Sequence, residues 1–207
     1  IAMQLAHQAI GCGSAHKALI ISPEIGSAQT DFRDRDTHYL LGDACSALLL
    51  ENTAREGSLE LLDFHIVSQF SNQIRNNFGF LNRLAPDSLY SKDKLFHQTP
   101  PSLPTIADAI CTHVQQQLTD MALPQAKIAQ FFLQPTNKVL NDVIARQLLN
   151  VVDAKRVPDA VAKYGATAAA GLGLSFHINE DLVNEQYCMW VGFGAGFSVA
   201  SVVMKKC

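Results

Sequence analysis

The sequence lacks the patterns that mark several large classes of protein. No run approaches the roughly 20 apolar residues that a membrane-spanning helix needs, and no basic segment followed by an apolar one suggests a signal peptide within these residues. Basic residues are not in excess, since 16 Lys and Arg stand against 19 Asp and Glu for a net charge of −3. This balance argues against a nucleic-acid-binding protein. We therefore expect a cytoplasmic protein that binds neither membrane nor nucleic acid.

Cysteine is scarce and scattered. The five cysteines include no CxxC pair, and the seven histidines show no HxxxH or HExxH spacing. We therefore expect neither a disulfide framework nor a metal site, and no GxxxxGK loop indicates a nucleotide cofactor. Cys111 and Cys188 fall in apolar patterns and are expected in the core, whereas Cys12 follows a helix and is expected to be partly exposed. Cys45 is interpreted as a small buried residue, with a substitute nucleophile as the alternative.

Hydrophobic residues, by contrast, are plentiful, at 48% of 207. Apolar runs of strand length alternate with stripes at helical spacing, such as the one from Ile106 to Met121. This alternation predicts an α/β fold in which mixed sheets are layered with helices. In the first part of the chain we predict a helix ending at Gly11, buried strands at 18–21 and 44–50 with a loop over 24–38 between them, and a strand at 59–67. An irregular segment follows at 68–101. In the last part we predict helices from Pro104, from Pro135 and over 164–174, strands at 129–133 and 187–191, a glycine turn at 192–196 and a closing strand at 197–204.

Four segments in this order resemble the GDGAGA, HQAN, YGNTSAA and GFGGG signatures of β-ketoacyl-acyl-carrier-protein synthase III, a family of the thiolase superfamily. They are Leu41–Ala47, Gln134–Asn137, Tyr164–Ala169 and Gly192–Gly196. The resemblance covers essentially the whole chain and implies the thiolase-like fold of two similar halves. Residues 1–57 resemble the remainder of the N-terminal half, and residues 58–207 resemble the complete C-terminal half.

The resemblance also implies a site that has lost its catalytic side chains. Members of the family use a cysteine nucleophile, which would lie before Ile1 and is not in this chain, and a histidine and an asparagine that stabilise an enolate. The histidine position is occupied by Gln134, which can donate a neutral hydrogen bond but cannot exchange a proton near neutral pH. The asparagine position is occupied by Ala166, which has no side-chain donor. We therefore expect the chain to be non-catalytic by itself.

Three further positions carry roles that the resemblance implies. The backbone N–H of Ala195 would face a thioester oxyanion, Asn137 would contact the pantetheine arm of the substrate, and Phe193 would lie beside the mouth of the site. The implied substrates are acyl groups on coenzyme A or on acyl-carrier protein.

Two alternatives remain open. The chain could belong to an acyltransferase that uses an upstream cysteine with thioester substrates, or it could be a scaffold subunit that completes an active ketosynthase dimer. We expect a homo- or heterodimer with a ketosynthase-like chain. The apolar content predicts that this chain alone exposes a large apolar face, so we expect a fragment, a nicked product or one piece of an assembly.

Overall fold

The computed structural model describes residues 1–30, 32–35, 38–53, 55–70, 74–75, 97–98, 103–194 and 196–207. These residues form both helices and strands. The helices are α1 (Ala2–Gly11), α2 (Leu103–Asp120), α3 (Lys138–Leu149), α4 (Val161–Tyr164) and α5 (Gly171–Asn179). The strands are β1 (Lys17–Ile25), β2 (Asp43–Glu51), β3 (Leu59–Ser68), β4 (Ile74–Arg75), β5 (His97–Gln98), β6 (Ile128–Leu133), β7 (Tyr187–Gly194) and β8 (Ser198–Lys206).

A four-stranded mixed sheet forms the centre of the fold. Its order is β3-β8-β7-β6, in which β6 and β7 run parallel and the other neighbours run antiparallel. Successive residues of β6 point to opposite faces, so that Phe131 joins a core cluster with α2 and α3 while Phe132 joins a second cluster with α5. Helices thus cover both faces of the sheet, which confirms the predicted α/β class with mixed sheets layered with helices.

The β1–β2 hairpin forms a separate two-stranded sheet. Leu48 on its inner face packs into the second cluster, and Gly173 of α5 approaches Ser46 so closely that a Cβ there would lie 2.7 Å from the serine Oγ. On the outer face, Leu19 and Ile21 are 62% and 60% exposed. The prediction that both strands are buried was therefore wrong for one face. The predicted loop over 24–38 was also too long, since β1 continues to Ile25 and a 3₁₀ turn follows.

The glycine-rich segments differ most from their predicted structure. The predicted helix over 164–174 is broken, because α4 ends at Tyr164 and Gly165 has a positive φ of 70°. A 3₁₀ turn and then α5 follow. The predicted glycine turn begins later than expected, because β7 continues through Gly194. Similarly, α3 begins at Lys138 and not at Pro135.

Most of the segment predicted to be irregular, 68–101, lies outside the described residues; within it, β4 and β5 pair antiparallel. None of the helices among the described residues is both long and apolar enough to cross a membrane.

Candidate functional site

Gln134 stands at the carboxyl end of β6, where three segments of the chain meet. Its main-chain N–H donates to the carbonyl oxygen of Val191 at 2.9 Å, which joins the end of β6 to β7. Its side-chain Nε2 donates to the carbonyl oxygen of Ala168. Since the residue is only 8% exposed, one of the two N–H groups of the amide is used in a contact inside the protein. Gln134 therefore ties the sheet to the turn that precedes α5.

The backbone after Gln134 is held by a second amide. Asn141 Nδ2 donates to the carbonyl oxygen of Gln134 at 3.3 Å, and the N–H of Thr136 donates to the same oxygen at 2.9 Å. Asn141 is buried, and sequence reasoning did not identify it. The one available signal was its position on the inner face of α3, one turn after Asn137.

Asn137 caps α3. Its Oδ1 accepts hydrogen bonds from the N–H groups of Val139 at 2.8 Å and Leu140 at 3.3 Å, which satisfies two of the unpaired donors at the start of the helix. Its side-chain oxygen is therefore already used, and its Nδ2 is the group left for any contact with a substrate arm. The pantetheine contact that the resemblance implies stays a prediction.

Ala166 lies beside the segment that contains the first signature. Its N–H donates to the carbonyl oxygen of Leu40 at 2.7 Å, and its own carbonyl accepts from the N–H of Gly42 at 3.0 Å. A Cβ on Gly42 would lie 1.9 Å from the carbonyl oxygen of Tyr164, so only glycine permits this approach. The first and third signatures are thus brought together, although they are more than 100 residues apart in the sequence.

The glycine-rich end of β7 lies close to Gln134. A Cβ on Gly192 would be 3.8 Å from Gln134 Oε1, which shows that the amide oxygen faces this strand. Phe193 is half-buried, pairs with Val199 of β8 and packs against the first core cluster. Ala195, the expected oxyanion donor, lies outside the described residues. The structure therefore places Gln134 next to parts of the third and fourth signatures.

No titratable side chain is among the recorded contacts of Gln134 or Ala166 in the described part of the chain. His113 contacts Ser201 Oγ through its Nε2 at 2.7 Å and not Gln134 or Ala166. His97 lies on β5, and its side chain is outside the part of the chain that the structure describes. Among the described residues, the groups in contact with Gln134 can therefore form neutral hydrogen bonds but include none suited to proton transfer near neutral pH.

The cysteines differ in burial and in the pKa of their thiols. Burial raises the pKa of Cys111 to about 11 and that of Cys188 to about 12, so both are protonated at neutral pH. The hydroxyl of Ser14 lowers the pKa of Cys12, which is exposed at the end of α1. Cys45 is exposed and not buried as predicted, because it lies on the outer face of the hairpin.

Several polar atoms near Gln134 have no hydrogen-bond partner within the described residues. They are Thr136 Oγ1, Asn141 Oδ1 and Thr167 Oγ1, all of them buried. Buried groups of this kind are commonly satisfied by ordered water. In the same described ranges, no cluster of three or more His, Cys, Asp or Glu side chains could hold a metal ion.

Comparisons with known proteins agree with the resemblance. Residues 1–69 match the family model "3-Oxoacyl-[acyl-carrier-protein (ACP)] synthase III", and residues 118–206 match the model of its C-terminal domain. The chain is 34% identical to a beta-ketodecanoyl-[acyl-carrier-protein] synthase of Pseudomonas aeruginosa over 99% of this chain and 60% of that protein. It is 26% identical to a beta-ketoacyl-[acyl-carrier-protein] synthase III of Streptococcus gordonii over 98% of this chain and 63% of that protein.

Solved structures show the same fold. A beta-ketoacyl-[acyl carrier protein] synthase III of Thermus thermophilus superposes with a TM-score of 0.84 at 21% identity, covering 99% of this chain and 63% of that one. The similarity confirms the predicted thiolase-like fold. The chain thus spans about three-fifths of the length of the relatives that it matches.

Proposed function

Because this chain belongs to the 3-oxoacyl-[acyl-carrier-protein] synthase III family of fatty-acid and polyketide metabolism, we propose that it is a member that does not carry out decarboxylative condensation by itself. The proposal rests on the state of Gln134. Its amide nitrogen is bound to the carbonyl oxygen of Ala168 and is buried.

The chemistry of condensation explains why this matters. Loss of carbon dioxide from a malonyl thioester leaves an enolate, and the catalyst must place hydrogen-bond donors where that negative charge develops. Removal of one such donor typically lowers the rate by about 10²- to 10³-fold. Here Gln134 uses one of its two amide N–H groups inside the protein and, unlike histidine, cannot exchange a proton near neutral pH, and Ala166 has no side-chain donor. Both positions therefore favour a protein without decarboxylase activity.

Binding of an acyl thioester can persist without this chemistry. Two positions that would take part in binding, Asn137 at the pantetheine arm and Phe193 at the mouth of the site, have the same residue types as the family signatures. We propose that an acyl group on coenzyme A or on acyl-carrier protein is the ligand class, and that the N–H of Ala195 faces its thioester oxygen.

The outer face of the β1–β2 hairpin supports the proposal of a partner chain. Leu19, Ile21, Ile25 and Leu49 share this face and are each at least 60% exposed. Soluble monomers rarely leave a contiguous apolar surface of this kind uncovered. We propose that a ketosynthase-like polypeptide covers it, either a second copy or a different chain. We also propose that residues 1–57 are the remainder of an N-terminal thiolase-like half and that residues 58–207 are the C-terminal half. The cytoplasm, where acyl thioesters are made and used, is the proposed location.

A decarboxylation assay tests the proposal. The purified chain is incubated with a malonyl thioester carrying a labelled carboxyl group, and release of labelled carbon dioxide is compared with that from a catalytic family member. We expect no release above the protein-free background. Release that depends on the protein and is abolished in Gln134→Ala would contradict the proposal.

The partner is tested separately by the mass of the assembly in solution. Light scattering of the chain, alone and mixed with a ketosynthase-like chain from the same organism, is expected to show a dimer or a heterodimer. Substitution of Ile21→Asp, on the outer face, is expected to weaken it, whereas Gln115→Asp, at an exposed position of α2, is the control and is expected to leave it unchanged. A monodisperse monomer under both conditions would contradict the partner proposal without affecting the first.

A further inference from the structure

A chain of buried polar side chains joins α2 to the central sheet. Its members are Asp63 on β3, His113 and Gln117 on α2, and Ser201 on β8. The last three are 6%, 1% and 4% exposed, and apolar residues of the first core cluster surround them. Polar groups are costly in such a place unless they pair with one another.

The hydrogen bonds of this chain have a defined direction. Gln117 Nε2 donates to the carboxylate of Asp63 at 2.7 Å, so its Oε1 is the atom that accepts the hydroxyl proton of Ser201 at 2.5 Å. The hydroxyl has a single proton, so Ser201 Oγ must accept from His113 Nε2 at 2.7 Å. His113 is therefore the tautomer protonated on Nε2. Its Nδ1 carries a lone pair and has no hydrogen-bond partner in the described part of the chain.

Protonation of His113 would place a positive charge in a buried environment that destabilises it. The ring stacks on that of His65, with centroids 4.4 Å apart and planes 23° apart. Burial and then the proximity of His65 lower the pKa of His113 to about 4, and these causes outweigh an opposing contact with the main chain of His65.

Few other charged groups face the ring from the packed elements. On β3 the titratable groups are Glu60, which is exposed, Asp63 and His65, and the Asp63 carboxylate is already paired with Gln117. Val199, Ser201 and Val203 of β8 carry no charge. From α3, the recorded polar contact with α2 is made by the neutral Gln147. Within the described residues, the main-chain contact with His65 favours the charged ring, but burial and the proximity of the His65 ring outweigh it.

We propose that the Asp63–Gln117–Ser201–His113 chain is a pH-responsive latch that holds α2 against the sheet. Above the ordinary titration range of histidine, the ring is neutral and the latch is closed. When Nδ1 takes up a proton from solvent, the charged ring is favoured only where water reaches it, and α2 separates from β3 and β8.

Opening of the latch reaches the region of Gln134 through α3. Gln147 of α3 contacts two residues of α2, accepting from Cys111 Sγ at 3.2 Å and donating to Asp108 at 2.8 Å. α3 begins at the cap Asn137, three residues after Gln134. α3 holds the turn after β6 and is itself supported by α2. When α2 separates from the sheet, α3 loses that support.

The size of the effect follows from linkage. The folded-state pKa is depressed, so the latch is fully stable above about pH 6.5 and loses stability as the pH falls toward 4. With these two pKa values, the equilibrium between closed and open α2 shifts by about 30-fold between pH 7.5 and pH 5.

Hydrogen exchange followed by mass spectrometry tests the latch on the full chain. Exchange rates, corrected for their intrinsic pH dependence, are compared at pH 7.5 and pH 5. We expect the protection of residues 103–120 to fall by about 30-fold, while that of β7 changes little. Unchanged protection in α2, or an equal loss in both elements, would overturn the proposal.

Two variants refine the test. His113→Gln keeps a donor for Ser201 but cannot be protonated, so the pH dependence of α2 is expected to disappear. His177→Gln, at an exposed position on α5, is the matched control and is expected to keep it. If His113→Gln fails to fold, the wild-type comparison of α2 with β7 still decides the question. A pH dependence that persists in folded His113→Gln would overturn the assignment to this residue.

Discussion

Substitution of Gln134 by leucine is expected to destabilise the fold, because the residue acts as a structural tie. Leucine has a similar volume but no donor, so Gln134→Leu leaves the carbonyl of Ala168 without the hydrogen bond that it now accepts. The main-chain bond from Gln134 to Val191 is retained. Removing one partner of a buried hydrogen bond costs about 1–3 kcal/mol, and the 8% exposure of Gln134 places this site within that range.

Urea unfolding measures this loss. The free energy of unfolding is compared for wild type, Gln134→Leu and Gln115→Leu, which makes the same chemical change at an exposed position of α2. We expect a loss of about 1–3 kcal/mol for the first variant and a change within about 0.5 kcal/mol for the second. If Gln134→Leu matched wild type, its amide would not be needed for stability, and the reasoning that removes it from the catalytic machinery would be refuted.

Three further predictions concern the surroundings of the site. Asn137→Ala should lower the free energy of unfolding by about 1 kcal/mol through loss of the helix cap, whereas Asn137→Asp should retain it; equal losses would contradict the capping role. Gly42→Ala should lower the free energy of unfolding by about 1–3 kcal/mol or more, because its Cβ would lie 1.9 Å from the carbonyl oxygen of Tyr164. The melting temperature should fall accordingly, and an unchanged melting temperature would refute this packing. Iodoacetamide at neutral pH should modify Cys12 in the folded protein and reach Cys188 only after unfolding, as mass spectrometry can show; early labelling of Cys188 would contradict its burial.

The elements that sequence patterns predicted well are those whose burial is periodic. The stripe from Ile106 to Met121 predicted α2, which spans Leu103–Asp120, and the apolar run at 129–133 predicted β6. In both, local hydrophobic spacing and tertiary packing favour the same structure. The resemblance of four signatures added the fold, which the solved relatives confirm.

The segment over 164–174 was predicted as one helix because its glycines and alanines suit close helix packing. The break arises from a tertiary contact, the bridge between Leu41 and Ala166, which requires the left-handed backbone of Gly165. Glycine composition allows both outcomes, and the choice depends on a partner strand more than 100 residues away.

The position of Gln134 could be found from sequence, but its role could not. The group that binds its amide is a main-chain carbonyl, which leaves no residue-specific signal at Ala168. Cys45 illustrates the same limit. A strand has two faces, and the pattern of small and apolar residues in β2 could not indicate that one of them is left uncovered.

The central claim is that this chain does not decarboxylate a malonyl thioester, and release of labelled carbon dioxide tests it most directly. We expect that the purified chain, alone and with its partner chain inactivated, releases no more than the protein-free background, while a catalytic relative is active in the same assay. Protein-dependent release that falls to background in Gln134→Ala would contradict the account, since Gln134 would then serve the reaction and not the fold.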